Sequence, residues 1–183
     1  MSGPAERASG ASVEPPTHLG ESHATTAEIE EKFWDALKSD MTMMLGVVAD
    51  GKCHPRPMTA QIEEDTKPIW FFTSKETEIV SEAARGGNAI ATFTSDDNDL
   101  FATVHGRLSV DKDRATIERL WNPYVAAWFE KGKDDPKLTL LRFDPDNAEI
   151  WLDDSSFLAG IKLLLGADPK EEYKDKVAKV KLG

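Results

Sequence analysis

The sequence contains a single cysteine, Cys53, and no run of apolar residues long enough to cross a bilayer. One thiol can form neither an internal disulfide nor a cysteine-based zinc site, and this usage fits a reducing compartment. A membrane-spanning helix takes about 20 apolar residues in a row. The N-terminal segment also lacks the apolar stretch of a signal peptide. We therefore expect a cytoplasmic protein that does not enter a membrane.

Basic residues are scarce, because 22 Lys and Arg face 33 Asp and Glu and leave a formal net charge of -11. Nucleic acids and anionic membranes both reward a basic protein surface. We therefore expect neither of them as a partner. An anion-binding site in this chain has to rely on a few local cations and on backbone N–H groups.

The common catalytic motifs are missing as well. The chain has no Gly-rich phosphate loop and no GxSxG nucleophile motif. Its four histidines do not show the paired spacing of a zinc site. Cys53 and His54 are neighbours that would point to opposite faces of a strand, so they cannot form a nucleophile–base pair. We expect no metal site, and the catalytic residues stay unassigned.

A length of 183 residues suits one domain with a sizeable core. Residues 1–24 are rich in Ser, Pro, Gly and Ala without periodicity, which predicts a disordered tail. Residues 25–165 form the predicted domain, and residues 166–183 form a polar C-terminal tail. Within the domain, Thr25 or Thr26 can cap a first helix, and Asp50-Gly51 is a strong hairpin signal.

About six strands are predicted along the domain, mostly joined by tight turns, with helices between some of them. The last two are predicted on either side of a turn at residues 144–147. Prolines 55 and 57 cannot donate to a ladder, which predicts that their strand is an edge, is bulged, or faces something other than another strand. This pattern favours an antiparallel barrel or sandwich over a parallel sheet.

The segment WFFTS at residues 70–74 joins aromatic and hydroxyl side chains at the end of a strand. Alternation places Trp70 and Phe72 on one face and Phe71 on the other. Arg56 on the preceding strand, together with the hydroxyls of this segment, could hold an anion, and nearby aromatics suit a flat heterocycle. The alternative is that the aromatics belong to the core and that Arg56 is a solvated edge residue.

Several stretches of the chain resemble FMN-binding split barrels related to pyridoxamine 5'-phosphate oxidase, in particular the bacterial general stress protein branch. The matching stretches are RPMTAQ at 56–61, IWFFTS at 69–74, ATVHGRLSV at 102–110, RLWNPYVAAWFEKGKDDPKLTLLRFDP at 119–145 and AEIWLDD at 148–154. The resemblance implies a mainly β, six-stranded antiparallel split β-barrel of the α+β class. It also implies a homodimer with FMN in two equivalent clefts at the interface.

The resemblance further assigns roles at the cofactor site. Arg56 would contact the flavin phosphate or ribityl chain, and the backbone of residues 57–59 would line the edge of the flavin ring. Phe72 and Thr73 would close the site from the next strand, with Ser74 near the phosphate. Aromatic residues would pack near the ring from the other subunit. The assigned positions are Arg56, Pro57, Met58, Thr59, Phe72, Thr73, Ser74, Trp128, Phe129 and Trp151.

The sequence departs from the family pattern at a phosphate-binding position. A lysine is usual near the start of the helix after the hydroxyls, and here Ile79 stands at that position, preceded by Glu78. Lys75 is the candidate replacement cation. His105 also stands where small residues are commoner. The basic Arg-x-His region of true pyridoxamine-phosphate oxidases is absent after Trp151, which argues against that activity.

The leading hypothesis is an FMN-binding homodimer that acts as a flavin-dependent oxidoreductase, with NAD(P)H or another reductant as its electron donor. The alternative is a non-enzymatic flavin carrier or sensor, or a dimer without cofactor that serves in a stress response. A third hypothesis places another flat cofactor, such as haem or a deazaflavin, in the same cleft.

Overall fold

The computed structural model describes residues 25–49, 51–63, 67–153 and 177–183. The first element is helix α1, Thr26–Asp40. Thr25 is its N-cap: the Thr25 hydroxyl accepts a hydrogen bond from the Glu28 backbone N–H, and the Glu28 carboxylate accepts one from the Thr25 N–H. This reciprocal capping box satisfies amides that the first turn leaves unpaired. The predicted cap is thereby confirmed.

The other elements follow in chain order. The strands are β1 (Thr42–Ala49), β2 (Lys52–Cys53), β3 (Arg56–Gln61), β4 (Ile69–Ser74), β5 (Gly87–Thr94), β6 (Leu100–Asp111), β7 (Leu138–Leu152) and β8 (Val177–Lys181). The helices are α2 (Glu78–Ala83), α3 (Arg114–Leu120) and α4 (Pro123–Ala126), with a 3₁₀ turn at Gly132–Asp134. Among these described residues, no helix is both long and apolar enough to cross a membrane.

Six of the strands close into an antiparallel barrel. Their order is β1-β3-β4-β7-β6-β5, and β5 pairs again with β1. Strand β2 extends β1 through the predicted hairpin, and β8 adds to the far half of β7. The predicted fold, a six-stranded antiparallel split barrel with a few helices, is confirmed.

Strand β7 corrects one detail of the sequence-based prediction. The predicted turn at residues 144–147 is not a turn, because β7 runs without a break from Leu138 to Leu152. Its register with β6 shifts by one residue: His105 pairs with Asn147, and Gly106 pairs with Pro145. The extra residue makes a β-bulge, a place where a strand tolerates proline. A Cβ at Gly106 would collide with the Asp144 carbonyl oxygen, so the close approach of β6 to β7 at the bulge requires glycine at this position.

Part of the predicted C-terminal tail forms strand β8, which pairs with residues 147–151 of β7. Its inward side chains, Ala178 and Val180, are buried, and Leu182 just beyond it is fully buried. The backbone N–H groups of Leu182 and Gly183 both donate to the Asp146 carbonyl, at 2.9 and 3.0 Å. Residues 177–183 therefore pack as part of the domain. The rest of the tail, residues 1–24 and the apolar stretch near residue 160 lie outside the described residues.

Two hydrophobic clusters lie on the opposite faces of β4. Phe71 points into the barrel and packs in the main core with residues of α1, β1 and β7. Trp70 and Phe72 point outward to a smaller cluster under α3 and α4, which includes Leu120 and Phe129. The alternation predicted for WFFTS is confirmed. The outer cluster matters for function because it fixes α4 beside the end of β4.

Candidate functional site

The barrel is split between β3 and β4. These strands share only two ladder pairs, Ala60 with Phe71 and Gln61 with Trp70. Before Ala60, β3 stays paired with β1, while beyond Phe71 β4 stays paired with β7. Pro57 lacks the N–H that a continuing ladder would need. The two strands therefore diverge, and a cleft opens between them.

The cleft has a volume of about 380 Å³, within the range of small-molecule sites. Its lining consists of Pro57, Met58, Thr59, Gln61, Phe72, Thr73, Ser74, Thr77, Tyr124, Val125, Trp128 and Phe129. None of these side chains carries a formal charge at neutral pH. Aromatic and aliphatic groups cover one part of the lining, and three hydroxyls cluster at the end of β4. Such a lining suits a flat, largely apolar ring with a polar extension.

Backbone groups along the split add directional hydrogen-bonding capacity. The Ala60 N–H donates to the Met41 carbonyl, and the Lys75 N–H donates to the Lys137 carbonyl, so both amides point away from the cleft. Because successive amides alternate in direction along a strand, that of Thr59 points into the split, where β3 forms no ladder pair with β4 before Ala60. Without a ladder partner there, this N–H can donate to a ligand.

The hydroxyl end of the cleft forms where β4 turns toward α2. The Thr77 hydroxyl donates to the Ser74 carbonyl at 2.7 Å and lies 3.4 Å from the Thr73 hydroxyl. The Ser74 hydroxyl accepts from the Glu76 backbone N–H at 3.3 Å. Three short polar side chains are thus held within one turn by local contacts. Hydroxyls of this kind can donate to ligand oxygens.

The aromatic side of the cleft comes from α4 and the turn that follows it, and Asn122 fixes the position of α4. The Asn122 side-chain oxygen accepts from the Tyr124 and Val125 N–H groups, at 3.0 and 3.1 Å. Its side-chain nitrogen donates to Gln61 on β3 at 2.6 Å. One side chain therefore both caps α4 and ties it to the strand across the cleft. Below them, Phe72 packs edge-on against Trp121 at 5.9 Å between centroids.

Two cations of the predicted site do not line the cleft. Arg56 directly precedes Pro57, and its guanidinium lies 3.9 Å from the Glu78 carboxylate. Lys75 turns away: its ammonium donates to the Pro136 carbonyl at 3.0 Å, and its side chain lines a separate groove under α2 and α3. In this structure Lys75 therefore does not point at the hydroxyl cluster.

Position 79 has a clear structural role. Ile79 is fully buried and packs in the barrel core, so the side chain at this position faces away from solvent. The neighbouring Glu78 is exposed and faces Arg56. His105 is exposed on β6 and lines a different groove at the bulge, together with Arg107 and Pro145. The two departures from the family pattern thus lie outside the cleft lining.

Eight of the predicted site residues lie together in the cleft. They are Pro57, Met58, Thr59, Phe72, Thr73, Ser74, Trp128 and Phe129. Arg56 lies next to this group, whereas Lys75 lies in the neighbouring groove. Trp151 pairs with Phe101 and Val177, toward the end of β7 opposite the end that pairs with β4. One chain therefore does not bring Trp151 into its own cleft.

Four lining residues were not predicted: Gln61, Thr77, Tyr124 and Val125. Two of them carried a signal. Gln61 follows Thr59 by two residues and so shares its face of β3. Tyr124 precedes Trp128 by four residues in the chain segment opened by Asn122-Pro123, which is the spacing of neighbours on a helix face. Within the described part of the chain, no cluster of His, Cys, Asp or Glu could hold a metal ion.

A six-stranded barrel that is split between two strands and flanked by a short helix defines a structural class of proteins. Comparison with known proteins identifies the family within this class. The model of the pyridoxamine 5'-phosphate oxidase like family matches residues 28–173. The chain belongs to this family. General stress protein 26 of Bacillus subtilis (strain 168) is 29% identical over 126 residues, which cover 67% of this chain and 88% of that protein.

Solved structures include proteins with higher identity to this chain. The general stress FMN/FAD binding protein from Xanthomonas citri is 56% identical, over 71% of this chain and 92% of that one, with a TM-score of 0.66. A protein of Xanthomonas campestris pv. campestris assigned to the general stress family is 55% identical, over 73% and 92%, with a TM-score of 0.68. The recognition of this family from the sequence is confirmed.

Proposed function

We propose that this protein binds FMN in the cleft between β3 and β4. The observation that carries the proposal is the cleft itself, an uncharged pocket with aromatic side chains, unpaired strand edges and a hydroxyl cluster at one end. The description of the Xanthomonas citri relative as an FMN/FAD binding protein supports a flavin.

The residues present fit the parts of a flavin mononucleotide. Apolar side chains such as Phe72, Val125 and Phe129 suit the flat ring, and the free amide of Thr59 can donate to its polar edge. The hydroxyls of Thr73, Ser74 and Thr77 can donate to phosphate or ribityl oxygens. Arg56 at the edge of the cleft is the candidate cation for the phosphate, and its guanidinium lies 3.9 Å from the Glu78 carboxylate.

We also propose that the protein binds FMN as a homodimer. Trp128 and Tyr124 are 84% and 73% exposed in a single chain, although both line the cleft. Large aromatics side by side on a surface are typical of an interaction site. A second copy that covers α4 would bury them and narrow the open side of the cleft. In such an assembly Trp151 of one copy could approach the cleft of the other.

Within this proposal the protein acts as a flavin-dependent oxidoreductase. Bound FMN supplies the capacity to accept and pass on one or two electrons. The residues of the cleft bind and orient the ring, and the aromatic wall limits the access of water. NAD(P)H is the reductant we propose to test first. A true pyridoxamine-phosphate oxidase activity is not part of the proposal.

A second candidate function, a flavin carrier or sensor, is favoured by a separate observation. Among the described residues, no carboxylate, imidazole or thiol lines the cleft. Proton transfer to or from a substrate would then have to use water or groups beyond these residues. A protein that only stores or reports flavin needs no such group.

The visible spectrum of the purified protein, before and after incubation with FMN and desalting, tests the proposal. Flavin absorbance retained after desalting is the expected result. A preparation that stays colourless would contradict flavin binding, and a haem spectrum would support the other flat cofactor. Light scattering should give about twice the chain mass of 20.2 kDa. Bleaching by NADH or NADPH without a partner enzyme would favour the oxidoreductase over the carrier.

A further inference from the structure

Two cations, Arg56 and Lys75, are adjacent in sequence to residues that line the cleft, and Arg56 is already engaged by a carboxylate. No Lys or Arg is among the residues that line the cleft in the described part of the chain. Arg56 lies at its edge, with a side chain that is 28% exposed and a guanidinium 3.9 Å from the carboxylate of Glu78. An anion that enters the cleft and approaches Arg56 must therefore compete with Glu78.

Glu78 is adjacent in the chain to the hydroxyl cluster, and its carboxylate faces the cation at the edge of the cleft. It is the first residue of α2 and directly follows Thr77, whose hydroxyl lies in the cleft. Its side chain is 75% exposed, and exposed ion pairs of this kind add little to stability. The fold therefore gains little stability from a carboxylate here, so a neutral residue at position 78 should leave the fold intact.

The charged residues next to Glu78 in the chain contact groups other than Arg56. The Glu76 carboxylate accepts from the Lys137 ammonium at 3.1 Å. The Lys75 ammonium donates to the Pro136 carbonyl. Among the described residues, Glu78 is thus the acidic residue paired with the cation at the cleft edge.

We propose that Glu78 is a specificity-determining residue of the cleft. Its carboxylate weakens the binding of FMN, which has a terminal phosphate, more than the binding of riboflavin, which has none. The proposal rests on flavin binding in this cleft, as proposed above. Two effects act together. The carboxylate holds Arg56 away from the phosphate, and its own negative charge repels a phosphate group that carries about -1.5 to -2 at pH 7.

The test compares the dissociation constants of FMN and riboflavin, measured by flavin fluorescence at low ionic strength. Glu78→Gln removes the charge with little change in size. Glu82→Gln is the matched control, because it makes the same change of charge on the same helix. Glu82 lies near Cys53, whose thiol pKa is raised by burial and then by this carboxylate.

We expect Glu78→Gln to tighten FMN about three- to tenfold while riboflavin stays within about twofold, from the interaction of charges at the edge of a solvated site. Glu82→Gln should leave the ratio of the two affinities unchanged. Equal shifts for both flavins, an unchanged FMN affinity, or the same shift in the control would each overturn the role of Glu78.

The outcome also separates this inference from the proposed function. If all three proteins bind both flavins with the same affinity ratio, flavin binding stands and the role of Glu78 fails. If neither the wild type nor Glu78→Gln binds FMN or riboflavin, flavin binding in this cleft fails, and the role of Glu78 fails with it. If FMN binds only to Glu78→Gln, the role of Glu78 is supported.

Discussion

Two adjacent phenylalanines on β4, Phe71 and Phe72, test whether one face of this strand belongs to the barrel core and the other to the cleft. Phe71 is fully buried in the barrel core, whereas Phe72 is partly buried and lines the cleft. The same substitution, Phe→Ala, can be made at both positions. We expect Phe71→Ala to lower stability strongly and to spare the cleft. Phe72→Ala should do the reverse.

The magnitudes follow from burial. Removing a fully buried phenylalanine costs about 3–5 kcal/mol, because the cavity it leaves cannot collapse completely. Phe72 keeps part of its surface exposed, and its edge contact with Trp121 contributes about 0.5–1.5 kcal/mol. We therefore expect Phe72→Ala to cost about 1–2 kcal/mol of folding stability. Its loss from the cleft wall should weaken FMN about tenfold or more.

Urea denaturation without flavin gives the two stabilities, and a fluorescence titration of the folded proteins gives the two FMN affinities. Phe72→Leu serves as a control that keeps apolar volume while it removes the aromatic ring. Equal losses of stability at positions 71 and 72 would refute the assignment of the two faces. FMN affinity unchanged in Phe72→Ala but lost in Phe71→Ala would refute the location of the site.

Three further predictions concern the helices around the cleft. Trp128→Ala should weaken the dimer about tenfold or more, measured by sedimentation, and an unchanged dimer would remove α4 from the interface. Ile79→Lys should cost about 3 kcal/mol or more in urea denaturation, because its site is buried; wild-type stability with tighter FMN would contradict this. Hydrogen bonds from the Thr116 hydroxyl and from backbone amides lower the pKa of Asp113, the cap of α3. The ionised Asp113 contributes to the free energy of unfolding above its unfolded pKa of about 4, and this contribution is lost as pH falls through the lowered native pKa. The free energy of unfolding of Asp113→Asn should therefore fall less steeply with acid than that of the wild type. Parallel plots of the free energy of unfolding against pH for the two proteins would refute this.

Local signals in the sequence were sufficient wherever the chemistry is local. The cap at Thr25, the hairpin after Ala49 and the alternation of residues 70–72 each depend on neighbours in the chain. Recognition of the family then supplied the closure of the barrel, which depends on pairing between distant strands. The residues that line the cleft between β3 and β4 were predicted largely from that same resemblance, and their role in binding FMN stays a prediction.

Pairing between strands that are distant in the chain explains the features that could not be predicted from the sequence. Residues 144–147 have the composition of a turn, yet pairing with β6 on both sides of the bulge keeps β7 continuous. Residues 177–181 alternate only loosely, and they are a strand because β7 offers an edge. The contacts of the charged residues around the cleft could not be predicted from the sequence either. That Lys75 turns to Pro136 and Glu78 turns to Arg56 follows from packing that the chain order does not specify.

The central claim, that FMN binds where β3 and β4 separate, is tested most directly by a crystal structure of the protein grown with FMN. We expect the flavin ring between the ends of β3 and β4, beside α4, with its phosphate toward the hydroxyls of Thr73, Ser74 and Thr77. Flavin bound elsewhere, for example in the groove under α2 and α3 that Lys75 lines, would contradict the claim. So would a cleft left empty at FMN concentrations that saturate binding in solution.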